Sequence, residues 1–189
     1  MLKVGLVQLR TPTSQAVALA QAAPLVREAA AAGAQLIATP EGTNLLQRNK
    51  AALFEAMTPP DRDAAVLGLR ALADELGVWL LIGSALVRRD DGQCANRAML
   101  IRPDGSVAAT YDKLHMFDVD LPTGEHIRES ASYTPGDTAV VAEAAGAITN
   151  EPVSIARARS RISQCFSPVG RVKAAGTVST SAPASASAR

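Results

Sequence analysis

Three short, nearly continuous apolar runs limit what this chain can fold into: KVGLVQL (3–9), AQLIATP (34–40) and GVWLLIGSALV (77–87). Between the first two lies TSQAVALAQAAPLVREAAAAG (13–33). Its alanine content, Thr13 or Ser14 as N-cap and Gly33 as a stop predict a helix, which Pro24 should kink or divide. Between the second and third lies DRDAAVLGLRALADEL (61–76), with Val66, Leu69, Leu72 and Leu76 along one helical face. Strand, helix, strand, helix, strand is the pattern of an α/β layered protein. Strands apolar on both sides imply a sheet covered on both faces. Beyond them, NRAMLIRPDGSVAATYDKL (96–114) reads as a hairpin through a Pro103-Asp104-Gly105 turn.

At 189 residues, 48% apolar and 20% charged, the chain is long enough for one soluble domain with a sizeable core. No apolar run approaches the roughly 20 residues that span a bilayer, and MLKVGLVQLR lacks the form of a signal peptide. Two cysteines, Cys94 and Cys165, are too few for a disulfide scaffold, so a reducing cytoplasm is expected. A net charge of +1 gives no reason to expect a nucleic-acid or membrane partner. That charge is unevenly spread. Through Gly146 there are 17 acids and 13 bases; from Ala147 onward there are one acid, Glu151, and six bases. Ala, Ser and Arg dominate this last stretch, which ends TVSTSAPASASAR. Such a composition buries too little apolar surface to offset ordering entropy. Residues 1–146 are therefore expected to form the folded part, and 147–189 a disordered tail with at most a weak helix over 153–164. The tail's arginines lack the aromatic interleaving of a nucleic-acid binder.

Glu41, in ATPEGTN, directly follows a predicted strand, where α/β sheets usually bind ligands. Held between Pro40 and Gly42, it could serve as a general base or be an ordinary loop glutamate. Lys113, in TYDKLHMFDVDLP (110–122), also follows a strand and could steady a developing oxyanion or lie at the surface. His115 could be a base, but beside aromatic and apolar neighbours it reads rather as a packed, hydrogen-bonded side chain. Asp118 and Asp120 alternate as metal ligands can, but no third ligand stands at useful spacing, so no metal is expected.

Taken in order, KVGLVQL, GAQLIATPEGTN, GVWLLIGS and NRAMLIRPDGSVAATYDKLHMFDVDLPTGEHIRES…YTPGD resemble the nitrilase superfamily of carbon–nitrogen hydrolases over residues 2 to about 143. The segment YDKLHMFDVDLP…RES is most similar to the branch containing deaminated-glutathione amidases and omega-amidases. The resemblance implies a four-layer α-β-β-α sandwich, usually a homodimer, acting on a small amide substrate without metal or organic cofactor. It implies Glu41 as general base, Lys113 as the oxyanion-stabilising lysine and Glu129, in IRES, as a second glutamate orienting the site.

The family's nucleophile is a cysteine on a strand beyond the lysine, in a context like Cys-Tyr-Asp and then Arg-Phe-Pro. The corresponding window here reads AAGAITNEPVSIARARS (144–160) and contains no cysteine. Ser154 is a poor substitute without a dedicated base. Cys165, in SQCFSP, lies too far on, and Cys94 precedes the hairpin strand as a small, partly buried thiol. The resemblance is thus expected to stop near residue 147. A reading-frame shift or a truncated relative would both give an incomplete sandwich, inactive or impaired, in which a homodimer is doubtful. A noncatalytic binding protein that keeps half of the pocket is the alternative.

Overall fold

The computed structural model describes residues 2–145 and 173–174. A six-stranded sheet runs in the order β5-β4-β3-β2-β1-β8, built from β1 (Val4–Leu6), β2 (Leu36–Ala38), β3 (Trp79–Arg88), β4 (Cys94–Ile101), β5 (Val107–Asp112) and β8 (Lys173–Ala174). β1, β2 and β3 are parallel, whereas β4 and β5 follow as an antiparallel hairpin. A second hairpin, β6 (Asp118–Asp120) with β7 (His126–Arg128), stands apart from this sheet.

Two helices, α1 (Gln15–Ala31) and α3 (Ala64–Leu76), pack on one face of the sheet. Ala22, Val26 and Ala29 of α1 and Val66, Leu69 and Leu72 of α3 meet Ile37, Leu80, Ile82, Val87, Met99 and Ile101. Burial of the larger of these side chains, the Val, Leu, Ile and Met, at about 1.5–3 kcal/mol each, is the main stabilising contribution. The predicted face of α3 is the observed one. Pro24, by contrast, does not divide α1. Its missing N–H orphans the carbonyl of Ala20, but both residues are exposed, so water replaces the lost bond while the opposite face stays packed.

The other face is covered differently from the expectation of a sheet buried throughout. Among the described residues, α2 (Lys50–Ala56) and the loop before it cover only one end, where Leu45, Leu53, Met57, Leu86 and Cys94 form a smaller cluster. Leu6 on β1, pointing to that same side by alternation, is exposed. Cys94 is the first residue of β4 rather than a residue preceding it. The expected weak helix over 153–164, Ser154, Cys165 and almost all of the expected tail lie outside the described residues. No described helix is long and apolar enough to cross a membrane.

Candidate active site

The carboxyl ends of β2 and β5 and the start of β4 lie at the same end of the sheet, and this is where the charged residues converge. Glu41 sits in a turn that Ser84 grips from both sides: the Ser84 N–H donates to the Pro40 carbonyl at 2.9 Å, and the Thr43 N–H donates to the Ser84 carbonyl at 2.7 Å. The Thr43 hydroxyl closes the turn on the Pro40 carbonyl at 2.6 Å. Gly42 takes φ +65°, a left-handed conformation that glycine adopts without strain. Ser84 reaches this turn because the β3–β4 register shifts between Ile82 and Ala85, as a bulge does. At Gly83 within that shift, a Cβ would meet the Thr39 carbonyl at 2.8 Å, so only glycine lets the strands approach this closely.

Lys113 is 8% exposed, one residue past β5, with its N–H donating to the Asn96 carbonyl at 2.9 Å. Its ammonium donates to both oxygens of Glu129 at 2.6 Å and to Glu41 Oε1 at 3.3 Å. The Glu129 carboxylate also accepts the Phe117 N–H at 2.5 Å. Asp118 places Glu129 from the next residue, accepting the Ser130 N–H at 3.0 Å and the Ser130 hydroxyl at 2.5 Å. These bonds hold the Asp118 carboxyl below its ordinary value. Asp120 instead pairs with His126 at 2.6 Å and with Arg128, which ties the β6–β7 hairpin together. Hence both aspartates serve the loop that carries Glu129. His115 is exposed, not packed as expected.

The structure brings together all three residues singled out in the sequence, Glu41, Lys113 and Glu129. It adds two that sequence reasoning missed. Asn96, 5% exposed on β4, donates from Nδ2 to Glu41 Oε1 at 2.7 Å, and its Oδ1 accepts the Ser84 hydroxyl. Tyr133 packs against the smaller cluster, with its N–H on the Glu129 carbonyl at 3.0 Å. Burial pushes the Tyr133 phenol up to about 12, and the negative charges of Glu129, Cys94 and Glu41 push the same way. Burial likewise raises the Cys94 thiol, against the pull of Arg88, so at neutral pH it is a protonated, weak nucleophile. Tyr133 is therefore a neutral wall of the site. Its stabilising contribution is intact below 10, the ordinary value, and lost as pH rises through about 12. Ultraviolet titration of the full chain should find a phenol that ionises only near 12, and that component should be missing from Tyr133→Phe.

Lys113 thus lies between two carboxylates at the end of β5, and comparison with known proteins decides the family. The sequence model of the carbon–nitrogen hydrolase family matches residues 3–164. The chain belongs to the carbon–nitrogen hydrolase family. It is 32% identical over 141 residues to the omega-amidase NIT2 of Xenopus tropicalis, covering 75% of this chain and 50% of that relative. It is 33% identical over 137 residues to a hydrolase of Schizosaccharomyces pombe, covering 71% and 42%. The C. elegans NitFhit structure aligns with a TM-score of 0.66 and 21% identity over 75% of this chain and 35% of that one. A CN-hydrolase superfamily protein of Xanthomonas campestris, with an arsenic adduct in its active site, aligns with a TM-score of 0.62 and 26% identity over 77% and 50%. The chain spans about half the length of the curated relatives it matches. Its helix layer and sheet thus share the nitrilase fold, and it resembles the omega-amidase branch. The family match reaches residue 164, past residue 147 where the resemblance was expected to stop.

Proposed function

We propose that Glu41, Lys113 and Glu129 form the base and oxyanion side of an amidase site for a small carboxylate-bearing amide. One observation carries this reading: Lys113, buried, with its ammonium held between two carboxylates. In this chemistry a thiolate attacks the amide carbonyl carbon, and the base accepts the thiol proton and delivers it to the leaving ammonia. Water then hydrolyses the thioester. The Lys113 ammonium, fixed by Glu129, would face the tetrahedral oxyanion, an interaction that supplies several kcal/mol in related sites. Neither a metal nor an organic cofactor enters these steps. A cytoplasmic location belongs to the same reading.

The nucleophile is the open part. The window where the family places its cysteine has none, and the buried Cys94 thiol is held protonated. This chain by itself is accordingly expected to turn over amides poorly or not at all. The same missing thiol favours a second reading, a noncatalytic protein that keeps half of the pocket and pairs with another subunit.

Ammonia release from a panel of small dicarboxylic acid monoamides tests both readings. The expected result is no release above the buffer rate for wild type, Cys94→Ala and Cys165→Ala alike. Release that survives both substitutions would end the need for a thiol. Release abolished by Cys165→Ala alone would make that cysteine the nucleophile. Resequencing the gene across codons 140–189 decides the origin of the gap: a second frame reading Cys-Tyr-Asp and then Arg-Phe-Pro would mark this chain as the product of a frame shift.

A further inference from the structure

Four groups form a closed ring around the base. The Gly42 N–H lies 3.4 Å from the Ser84 hydroxyl oxygen, the Ser84 hydroxyl donates to Asn96 Oδ1, and Asn96 Nδ2 donates to Glu41 Oε1 at 2.7 Å. Glu41 and Gly42 are neighbours in the chain, so the ring closes through a peptide bond. Every donor points the same way, toward the carboxylate. The reverse amide orientation would set Asn96 Oδ1 against Glu41 with no proton between two acceptors, so the carboxylate itself selects the orientation. From its other end, the Asn96 carbonyl accepts the Lys113 N–H at 2.9 Å. One buried residue therefore touches both charged partners, the base through its side chain and the lysine through its backbone.

We infer that Asn96, oriented by Ser84, is a positioning residue that holds the Glu41 carboxylate in place and prevents it from collapsing onto Lys113. Distances support the second half of this role. The lysine sits 3.3 Å from Glu41 Oε1 but 2.6 Å from Glu129, whereas Asn96 sits 2.7 Å from that same Glu41 oxygen. With Asn96 satisfying Oε1, the ammonium settles on Glu129 and stands farther from Glu41. Among the described residues, Lys113 from the end of β5 faces Glu41 and Glu129 lies beyond it, while Tyr133 stays neutral. The importance of this arrangement rests on Glu41 being a base, but the hydrogen-bond coupling does not.

Carbon and nitrogen NMR of the full-length chain reads that coupling without any turnover. In wild type, the Asn96 side-chain amide signal should titrate with the same midpoint as the Glu41 carboxyl carbon, and Glu41→Gln should abolish the titration. Removing a donor to an ionised group that is half exposed should raise the Glu41 midpoint by about one pH unit in Asn96→Ala. Asn96→Asp, which sets a like charge there, should raise it further. Ser84→Ala should raise it by less, and exposed carboxylates such as Glu75 should not move. An Asn96 amide that ignores Glu41 in wild type overturns the assignment whether or not the variants fold. So does an unchanged Glu41 midpoint in a folded Asn96→Ala. Amidase failure with the coupling intact would count against the proposed function alone.

Discussion

Lys113→Met is expected to lower the unfolding free energy by about 3–5 kcal/mol at neutral pH, the usual cost of removing one partner of a buried ion pair. The side chains of Lys113 and Glu129 are 10% and 14% exposed, so deleting the ammonium leaves a nearly desolvated carboxylate whose remaining donor among the described residues is the Phe117 N–H. Glu41 is a weaker partner. Its side chain is half exposed and stands 3.3 Å from the ammonium, so Glu41→Gln should cost no more than about 1 kcal/mol. A double-mutant cycle separates these contributions. Lys113→Met combined with Glu129→Gln should be less destabilising than the sum of the two single changes, because no charge is then left stranded. Urea denaturation of the four chains measures this directly. Additivity within about 0.5 kcal/mol would mean that the pair does not hold the site together.

The extent to which this site could be read from the sequence depended on which interactions are local. Glu41 could be found because a carboxylate between Pro40 and Gly42 at the end of an apolar run is a strand-edge signal. Lys113 carries a similar mark, whereas Glu129 became visible only through the family motifs. Asn96 and Ser84 had no comparable signal. Their role depends on the β3–β4 register and its shift near Gly83, which brings residues 41, 84 and 96 together from three separate elements. The β6–β7 hairpin was hidden for another reason. Its DVD and HIR segments carry charge where strand patterns show apolar alternation, and the contacts of Asp120 with His126 and Arg128 across the hairpin hold it. Propensity misled at Pro24, where tertiary packing of one helix face outweighed a local break. His115 failed similarly, since whether a side chain packs or faces water is fixed by the path of the whole loop.

Asp63→Ala is the second large loss expected, about 3 kcal/mol, and it should reach the site from a distance. Asp63 is fully buried and caps α3, with Oδ1 accepting the N–H groups of Ala65 at 2.9 Å and Val66 at 3.0 Å. Its Oδ2 accepts from Asn44 Nδ2 at 2.7 Å. Losing such a cap costs about 1–2 kcal/mol, and the Asn44 bond about one more. Asp63→Ser, which retains a capping hydroxyl, should lose about half as much. Burial pushes the Asp63 carboxyl above 3.8 despite its three donors, so its contribution is fully present below that value and shrinks as pH rises through the folded-state value. The difference in stability between wild type and Asp63→Ala should therefore narrow from acid toward neutral pH. Asn44 carries the effect onward. Its side chain pairs with Leu86 as a strand would, giving Nδ2 to the carbonyl and taking the N–H on Oδ1, both at 2.8 Å. Loosening Asn44 loosens the turn beside it that presents Glu41, so amide exchange at Gly42 and Thr43 should accelerate in Asp63→Ala while the α1 core stays protected. Unchanged exchange at those two amides would mean that the helix cap and the site are independent, and that Ser84 and the Thr43 hydroxyl hold the turn without Asn44.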